Sequence, residues 1–410
     1  MSITVTALFL SLMASGVTNL MSTYFTVAAS ALASMCFFGS CMLRTNARWH
    51  LSILFATILM CIICLLSSEY HLSPVNSTID ILLCYSSLIG LAAMTPDLGS
   101  FCRRLMVFSF VIPVVIVLAE TAKNGGIEAW KIGGLGMSPN YMAAHINMTL
   151  PLLVAYAAQA QGMVRRYLWT AILLGAFAVF CIGSRNGIGT LVMMLLMFCL
   201  FNNKKTAVIT CVFLALILMR SDDIIQNPYV NHLLAKFRLV GFEAKTSRSV
   251  IWSISAQYIQ ASPWIGIGPG GSEKVLRVID INHAHNNVIQ IALESGIPVA
   301  LLYTVIICLL LLIPARGLFR TRRAFLAGLP VIAYFMVSLT DNTIHHPETT
   351  LLLVACVHEA RRVMRMPSSE LQDWHVNTMS KLPQFSSTHT GILPQIKKRI
   401  PGAERGRVIG

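Results

Sequence analysis

Runs of roughly 17–22 apolar residues recur along most of this chain, each about the length a helix needs to cross a bilayer. Inside lipid every backbone N–H and C=O must be paired within its own segment, so helices are the expected spanning element. A strand barrel would need alternating segments of about ten residues; these runs are longer and do not alternate. At 410 residues, 55% hydrophobic and only 12% charged, the chain is not an ordinary soluble domain. The pattern predicts an all-α, polytopic membrane protein with about twelve transmembrane helices. They fall near 4–20, 23–43, 49–66, 78–95, 105–120, 141–160, 167–184, 187–201, 206–220, 297–314, 324–340 and 349–360.

The formal net charge of +14 does not point to nucleic acid, because no basic groove or aromatic platform accompanies it. The basic residues come instead as short clusters in every second loop. These are Arg44 and Arg48, Arg103 and Arg104, Arg165 and Arg166, Lys204 and Lys205, Arg316 to Arg323, and Arg361 to Arg365. That alternation assigns those loops and both termini to the cytoplasm. The remaining loops, near 67–77, 121–140, 185–186, 221–296 and 341–348, then face outward.

The chain divides accordingly into helices 1–9 over 1–220, an outward loop over 221–296, helices 10–12 over 297–365, and a basic tail over 366–410. A loop as long as 221–296 is usually functional or disordered. This one carries helical apolar spacing from Ser249 to Gln260 and a Gly-rich turn from Gly266 to Gly271, which predicts a folded lid. The tail is Pro-, Ser- and Gly-containing and reads as a poorly ordered extension. The eleven Cys lie in or beside apolar runs, so no disulfide framework is expected in the loop. No P-loop, GxSxG elbow or HExxH zinc pair is present.

Four constellations could carry chemistry. Ser184-Arg185-Asn186-Gly187 forms the outward apex of a tight hairpin. Arg185 is either a cation snorkelling to lipid phosphates or a fixed site for an anionic headgroup, since guanidinium pairs bidentately with phosphate oxygens. Arg248 opens an amphipathic helix and could share that phosphate; alone it reads as a solvated charge, and Lys236, Arg238 and Lys245 are possible substitutes. His285 and Asn286 stand at the start of a short helix ending at Gly296. A histidine there suits proton removal from a hydroxyl, and Asn286 could orient it, bind sugar hydroxyls or simply cap the helix. Finally, Asn140 follows Ser138-Pro139, where capping is the simpler role and ligand contact the second. Asp341, Asn342, His345, His346 and Glu348 form a polar cluster in the last outward loop, with no partner legible in the sequence.

Together these residues resemble the O-antigen ligase and polymerase superfamily of bacterial envelope glycosyltransferases. His285-Asn286, nine residues and then Gly296 fit the ligase signature. The Ser184–Gly187 hairpin, the Arg248…Trp252 helix followed by Pro263-Trp-Ile-Gly-Ile-Gly268, and the Gly136–Asn140 segment appear in the family's order. Val299 departs from the ligase pattern. The resemblance implies a GT-C-like membrane fold in the bacterial inner membrane and metal-independent transfer, without cofactor, at the periplasmic face. The donor would be a glycan on undecaprenyl diphosphate and the acceptor a sugar hydroxyl of lipid A–core. In family terms Arg185 and Arg248 would hold the diphosphate and His285 would activate the acceptor, with Asn286, Asn140, Arg238 and Lys245 as substrate contacts. An O-antigen or exopolysaccharide polymerase, a protein O-oligosaccharyltransferase and a lipid-linked sugar flippase are the alternatives. A flippase would be expected to carry its functional charges within the spans.

Overall fold

Every apolar run that falls among the described residues folds as a helix. The structure is a computed structural model, which describes residues 51–92, 99–124, 139–202, 248–318 and 322–365. Its helices are α1 (Leu51–Tyr70), α2 (Val75–Ala92), α3 (Gly99–Asn124), α4 (Pro139–Ala157), α5 (Gly162–Ile182) and α6 (Arg185–Asn202). After the undescribed stretch come α7 (Arg248–Ala261), α8 (Gly271–Leu276), a 3-10 turn (Arg277–Ile279) and α9 (Asn287–Ser295). Then follow α10 (Ile297–Leu318), α11 (Arg322–Thr340) and α12 (Pro347–Arg365). There is no strand among the described residues. The expected spans at 4–20, 23–43 and 206–220, the tail at 366–410, and Arg238 and Lys245 lie outside the described residues.

Among the described residues, five helical segments are long and apolar enough to cross a membrane: Leu51–Tyr70, Val75–Ala92, Cys102–Lys123, Gly162–Ile182 and Ile297–Gly317. Their outward-turned apolar side chains fit lipid as solvent. On α10, Leu301, Val305, Leu309 and Leu312 recur at helical spacing and are all exposed, while Tyr303, Ile306 and Leu310 on the other side are buried. On α1, Phe55, Ile62 and Leu66 are exposed and Met60 and Cys64 buried. The chain is thus built as a multi-pass membrane protein.

The helix α4 is the inner post of the bundle. It packs against α3, α5, α6, α11 and α12, and residues Tyr141 to Leu152 are buried without a break. That burial explains how it can carry His145 and Asn147, which would be costly facing lipid. Asn147 donates to the Gly187 carbonyl on α6 (2.8 Å). Small residues allow the close contacts: a Cβ on Gly187 would come within 2.4 Å of the Ala143 Cβ.

Hydrogen bonds tie the helix ends into two layers. At one end Ser67 donates to the Ile265 carbonyl (2.5 Å), Tyr141 to the Asn342 carbonyl (2.5 Å) and Asn286 to the Leu339 carbonyl (3.2 Å). At the other, His358 donates to Gly90 O (2.7 Å) and Arg361 to Leu91 O (2.8 Å), while Tyr156 binds Glu359. The basic clusters at 103–104, 165–166 and 361–362 follow the second layer.

Residues 248–296 are folded into short helices and turns. The turn 263–268 docks on the end of α9: Ile267 N–H bonds Leu293 O (2.8 Å), Gly268 N–H bonds Glu294 O (3.1 Å), and Ile297 N–H bonds Pro263 O (2.8 Å). This seats the turn directly on the start of α10. The hinge is Gly296, with φ +88, where a Cβ would lie 2.3 Å from the Trp264 carbonyl oxygen. A side chain there meets both a left-handed backbone and a fixed backbone atom. Gly296→Ala is therefore expected to lower the melting temperature of the purified protein by several degrees, about 1–3 kcal/mol of strain, and to reduce its membrane abundance.

Candidate active site

The first layer gathers the chemistry-bearing residues, and Asp341 is their meeting point. It follows the last residue of α11, and its carboxylate is 2% exposed. His285 Nδ1 lies 3.5 Å from Asp341 Oδ1, and the Asn342 N–H bonds the same oxygen (2.8 Å). Oδ2 is buried with no hydrogen-bond partner. Burial pushes the Asp341 carboxyl up, but the His285 contact, the Asn342 N–H, the His283 ring and the Asn140 amide together hold it below its ordinary value. It is thus an anion placed against an imidazole.

The loop that presents His285 is fixed from several sides. His285 adopts φ +51, an uncommon conformation for a side chain larger than glycine's. Its ring packs edge-on against His283, with centroids 4.1 Å apart. Between the two, the Ala284 N–H bonds Gln290 Oε1 (2.7 Å) and the Ala284 carbonyl accepts from Trp252 Nε1 (3.0 Å). Asn286 is the N-cap of α9: its Oδ1 accepts from Val288 N (2.9 Å) and Ile289 N (3.1 Å). With its Nδ2 on Leu339 O as well, the Asn286 side chain is engaged in holding the loop. Asn287 continues the clamp. Its Nδ2 donates to Thr343 Oγ1 (2.6 Å) and Tyr303 OH (2.8 Å), and its Oδ1 accepts from Thr343 N (2.7 Å).

Arg248 reaches this point directly, and the neighbour of Arg185 is linked to it through Asn140. Arg248, the first residue of α7 and exposed, donates from Nη2 to the Thr340 carbonyl (3.0 Å), next in sequence to Asp341. Arg185 opens α6, also exposed. Its neighbour Ser184 caps α6 by accepting from Gly187 N (3.0 Å) and donates to Asn140 Oδ1 (2.5 Å). Asn140 in turn borders Asp341. The expectation that Asn140 caps its helix is corrected here: α4 already begins at Pro139, the residue type suited to a first helical position. Asn140 instead bridges the α5–α6 hairpin to Asp341.

The sequence reading passed over a second layer of support. Glu294, 1% exposed, accepts from Ser272 Oγ (2.7 Å) and pairs with His345 Nε2 (2.9 Å). Gln290 Nε2 reaches the same Ser272 Oγ (2.7 Å). Burial pushes the His345 pKa down, yet the Glu294 carboxylate, with Asp80 beyond it, raises it overall. The pair ties α8 and α9 to the loop that carries Asp341. Its signal in the sequence was only two separated polar clusters.

His283 behaves in the opposite sense. Burial, helped by His285, pushes its pKa down from 6.5 to about 4. The folded state thus resists protonation, while the unfolded chain takes up the proton near 6.5. Stability attributable to His283 is intact above about pH 6.5 and declines as pH falls towards about 4. Thermal unfolding of the purified protein is expected to show that decline, and His283→Gln should flatten it.

His283, His285 and Asp341 each offer one donor atom, all within 4.8 Å of one another, a set that could hold a metal ion. The same geometry serves a carboxylate–imidazole pair acting on a proton. No curated protein matches the chain. Residues 169–304, which include Arg185, Arg248 and His285 but neither Asn140 nor Asp341, match the family model described as O-antigen ligase, the superfamily that the sequence motifs resemble.

Proposed function

We propose that this protein is a glycosyltransferase of the bacterial inner membrane acting at the periplasmic face. It moves a glycan from undecaprenyl diphosphate to a sugar hydroxyl of lipid A–core, as an O-antigen ligase. An O-antigen ligase or polymerase type of enzyme is supported by the family match. The observation that carries the reading is the convergence on residues 340–341: His285 meets Asp341 and Arg248 meets Thr340.

In this mechanism Asp341 holds His285 through Nδ1, leaving Nε2 to accept the proton of the acceptor hydroxyl. The freed oxygen attacks the anomeric carbon of the donor sugar. The bond from that carbon to the phosphate oxygen breaks, and undecaprenyl diphosphate departs with the electron pair. Arg185 and Arg248 offset the charge that develops on the leaving phosphates. Both arginines stand at the first residue of a helix, where the dipole already favours an anion and a cation gains nothing from the helix itself. That placement supports a phosphate role for both. The proton then leaves imidazolium for solvent; the His285 side chain is 29% exposed.

The proposed topology keeps about twelve spans, both termini cytoplasmic, residues 221–296 as the periplasmic lid and 366–410 as a basic cytoplasmic tail. Arg238 and Lys245 remain proposed substrate contacts on that lid. No charge cluster of this site lies in the middle of a described span, which disfavours a flippase.

A deletion strain separates the same-chemistry alternatives. Loss of all core-attached glycan on a lipopolysaccharide gel identifies a ligase, and a single attached repeat unit identifies a polymerase. A second reading, metal-assisted transfer, is raised by the His283–His285–Asp341 donor set. Metal-independent chemistry predicts that transfer by purified protein stays within about twofold after chelator treatment, whereas loss of a metal that generates the nucleophile is far more damaging.

A further inference from the structure

From the position of Trp252 we infer a sugar-stacking platform: its indole receives the apolar face of a pyranose ring beside the reacting bond. This rests on the glycan-transfer reading but adds a contact that neither the base nor the cations supply. A pyranose presents C–H groups on one face and hydroxyls around its rim. It therefore needs a flat apolar surface as well as polar partners, and indole offers the largest such surface of any side chain.

Three observations place that surface at the site. Trp252 lies one helical turn after Arg248, so the two share a face of α7. Arg248 reaches Thr340 O and Trp252 reaches Ala284 O, the residues bordering Asp341 and lying between His283 and His285. The Nε1 bond fixes the edge of the ring, yet Trp252 stays 37% exposed, so it is neither core nor free to swing. An indole held by its edge and open elsewhere loses little conformational freedom on taking a ligand. Trp264, by contrast, is 75% exposed on the docking turn, as suits a membrane-interface residue. Lipid contact does not account for Trp252's bond to the histidine loop.

The test uses full-length protein in nanodiscs and three probes: methyl β-D-glucopyranoside, methyl β-D-galactopyranoside and methyl α-D-mannopyranoside. Saturation-transfer difference NMR reads binding, with glycan transfer measured in parallel. At least one pyranoside is expected to show signals concentrated on the C–H protons of one ring face. Trp252→Phe and Trp252→Tyr should retain binding within about threefold, since both keep an aromatic face, while Trp252→Leu should weaken it by about tenfold or more. KM for the glycan substrate should rise in the Leu variant more than kcat falls. If Phe and Leu lose binding equally, the indole serves only as the Ala284 hydrogen-bond donor and the platform is overturned. Absence of binding by the wild-type protein to all three probes overturns it too. His285→Ala distinguishes this inference from the transfer mechanism: it should keep pyranoside binding while losing transfer. Transfer retained in that variant would discard the base and leave the platform standing.

Discussion

His285→Ala is expected to lower glycan transfer by about 10²–10⁴-fold, the range for loss of a positioned general base, with membrane abundance nearly unchanged. The fold should tolerate the change because the elements that shape the loop are its neighbours. Asn286 caps α9, Asn287 clamps Thr343 and Tyr303, and Gln290 holds the Ala284 N–H. Alanine also removes the His285 contact from a buried carboxylate. Asp341 then loses the first of the interactions that hold its pKa down and should titrate higher. Asp341→Asn offers the complementary variant. It keeps the shape while removing the buried charge that faces His285, so kcat should fall with little change in KM. A merely structural Asp341 would lower abundance and leave kcat per folded molecule in place.

Arg185→Ala and Arg248→Ala are each expected to cost about 10²–10³-fold in kcat, the loss typical when one preorganised charge or donor is removed from a developing anion. The double variant should be less impaired than the product of the two, because in the proposed mechanism both groups serve one diphosphate and their effects are not additive. Arg185→Lys should recover only part of the activity, since an ammonium cannot offer the paired N–H geometry of guanidinium. Arg248 bonds the Thr340 carbonyl, so its loss also loosens α7. Single-turnover transfer with saturating donor, together with melting temperature, distinguishes the two contributions.

Much of the scaffold was legible because lipid imposes a simple rule: apolar runs become helices. Boundaries ran long where polar residues continue a helix beyond the apolar stretch. The span expected over 105–120 extends through Gly99–Asn124 and takes in Arg103, Arg104 and Lys123, and the one over 349–360 extends through Pro347–Arg365. His285 and Arg185 could be singled out because each is an isolated polar group at the mouth of an apolar helix. Asp341 could not. A carboxylate after a span has no local mark of its partner, and only the packing of α11 against α9 and α10 brings it to His285. Glu294 and His345 were hidden for the same reason: they lie 51 residues apart, and only the packing of α9 against the loop after α11 joins them. Three readings were open for Asn286 in the sequence, and the structure engages it as the cap.

The most direct measurement is donor protection of two engineered thiols. Arg185→Cys and Ser249→Cys, beside Arg248, would be introduced singly into a variant whose native cysteines have been replaced. Each would be treated with a membrane-impermeant maleimide from outside spheroplasts, with and without undecaprenyl-diphosphate glycan. Both positions should react from the outside, and the donor should slow both reactions, because the proposed site puts one diphosphate between the helices that carry them. Labelling of either position only from the cytoplasmic side, or protection of one position without the other, would contradict a shared phosphate site.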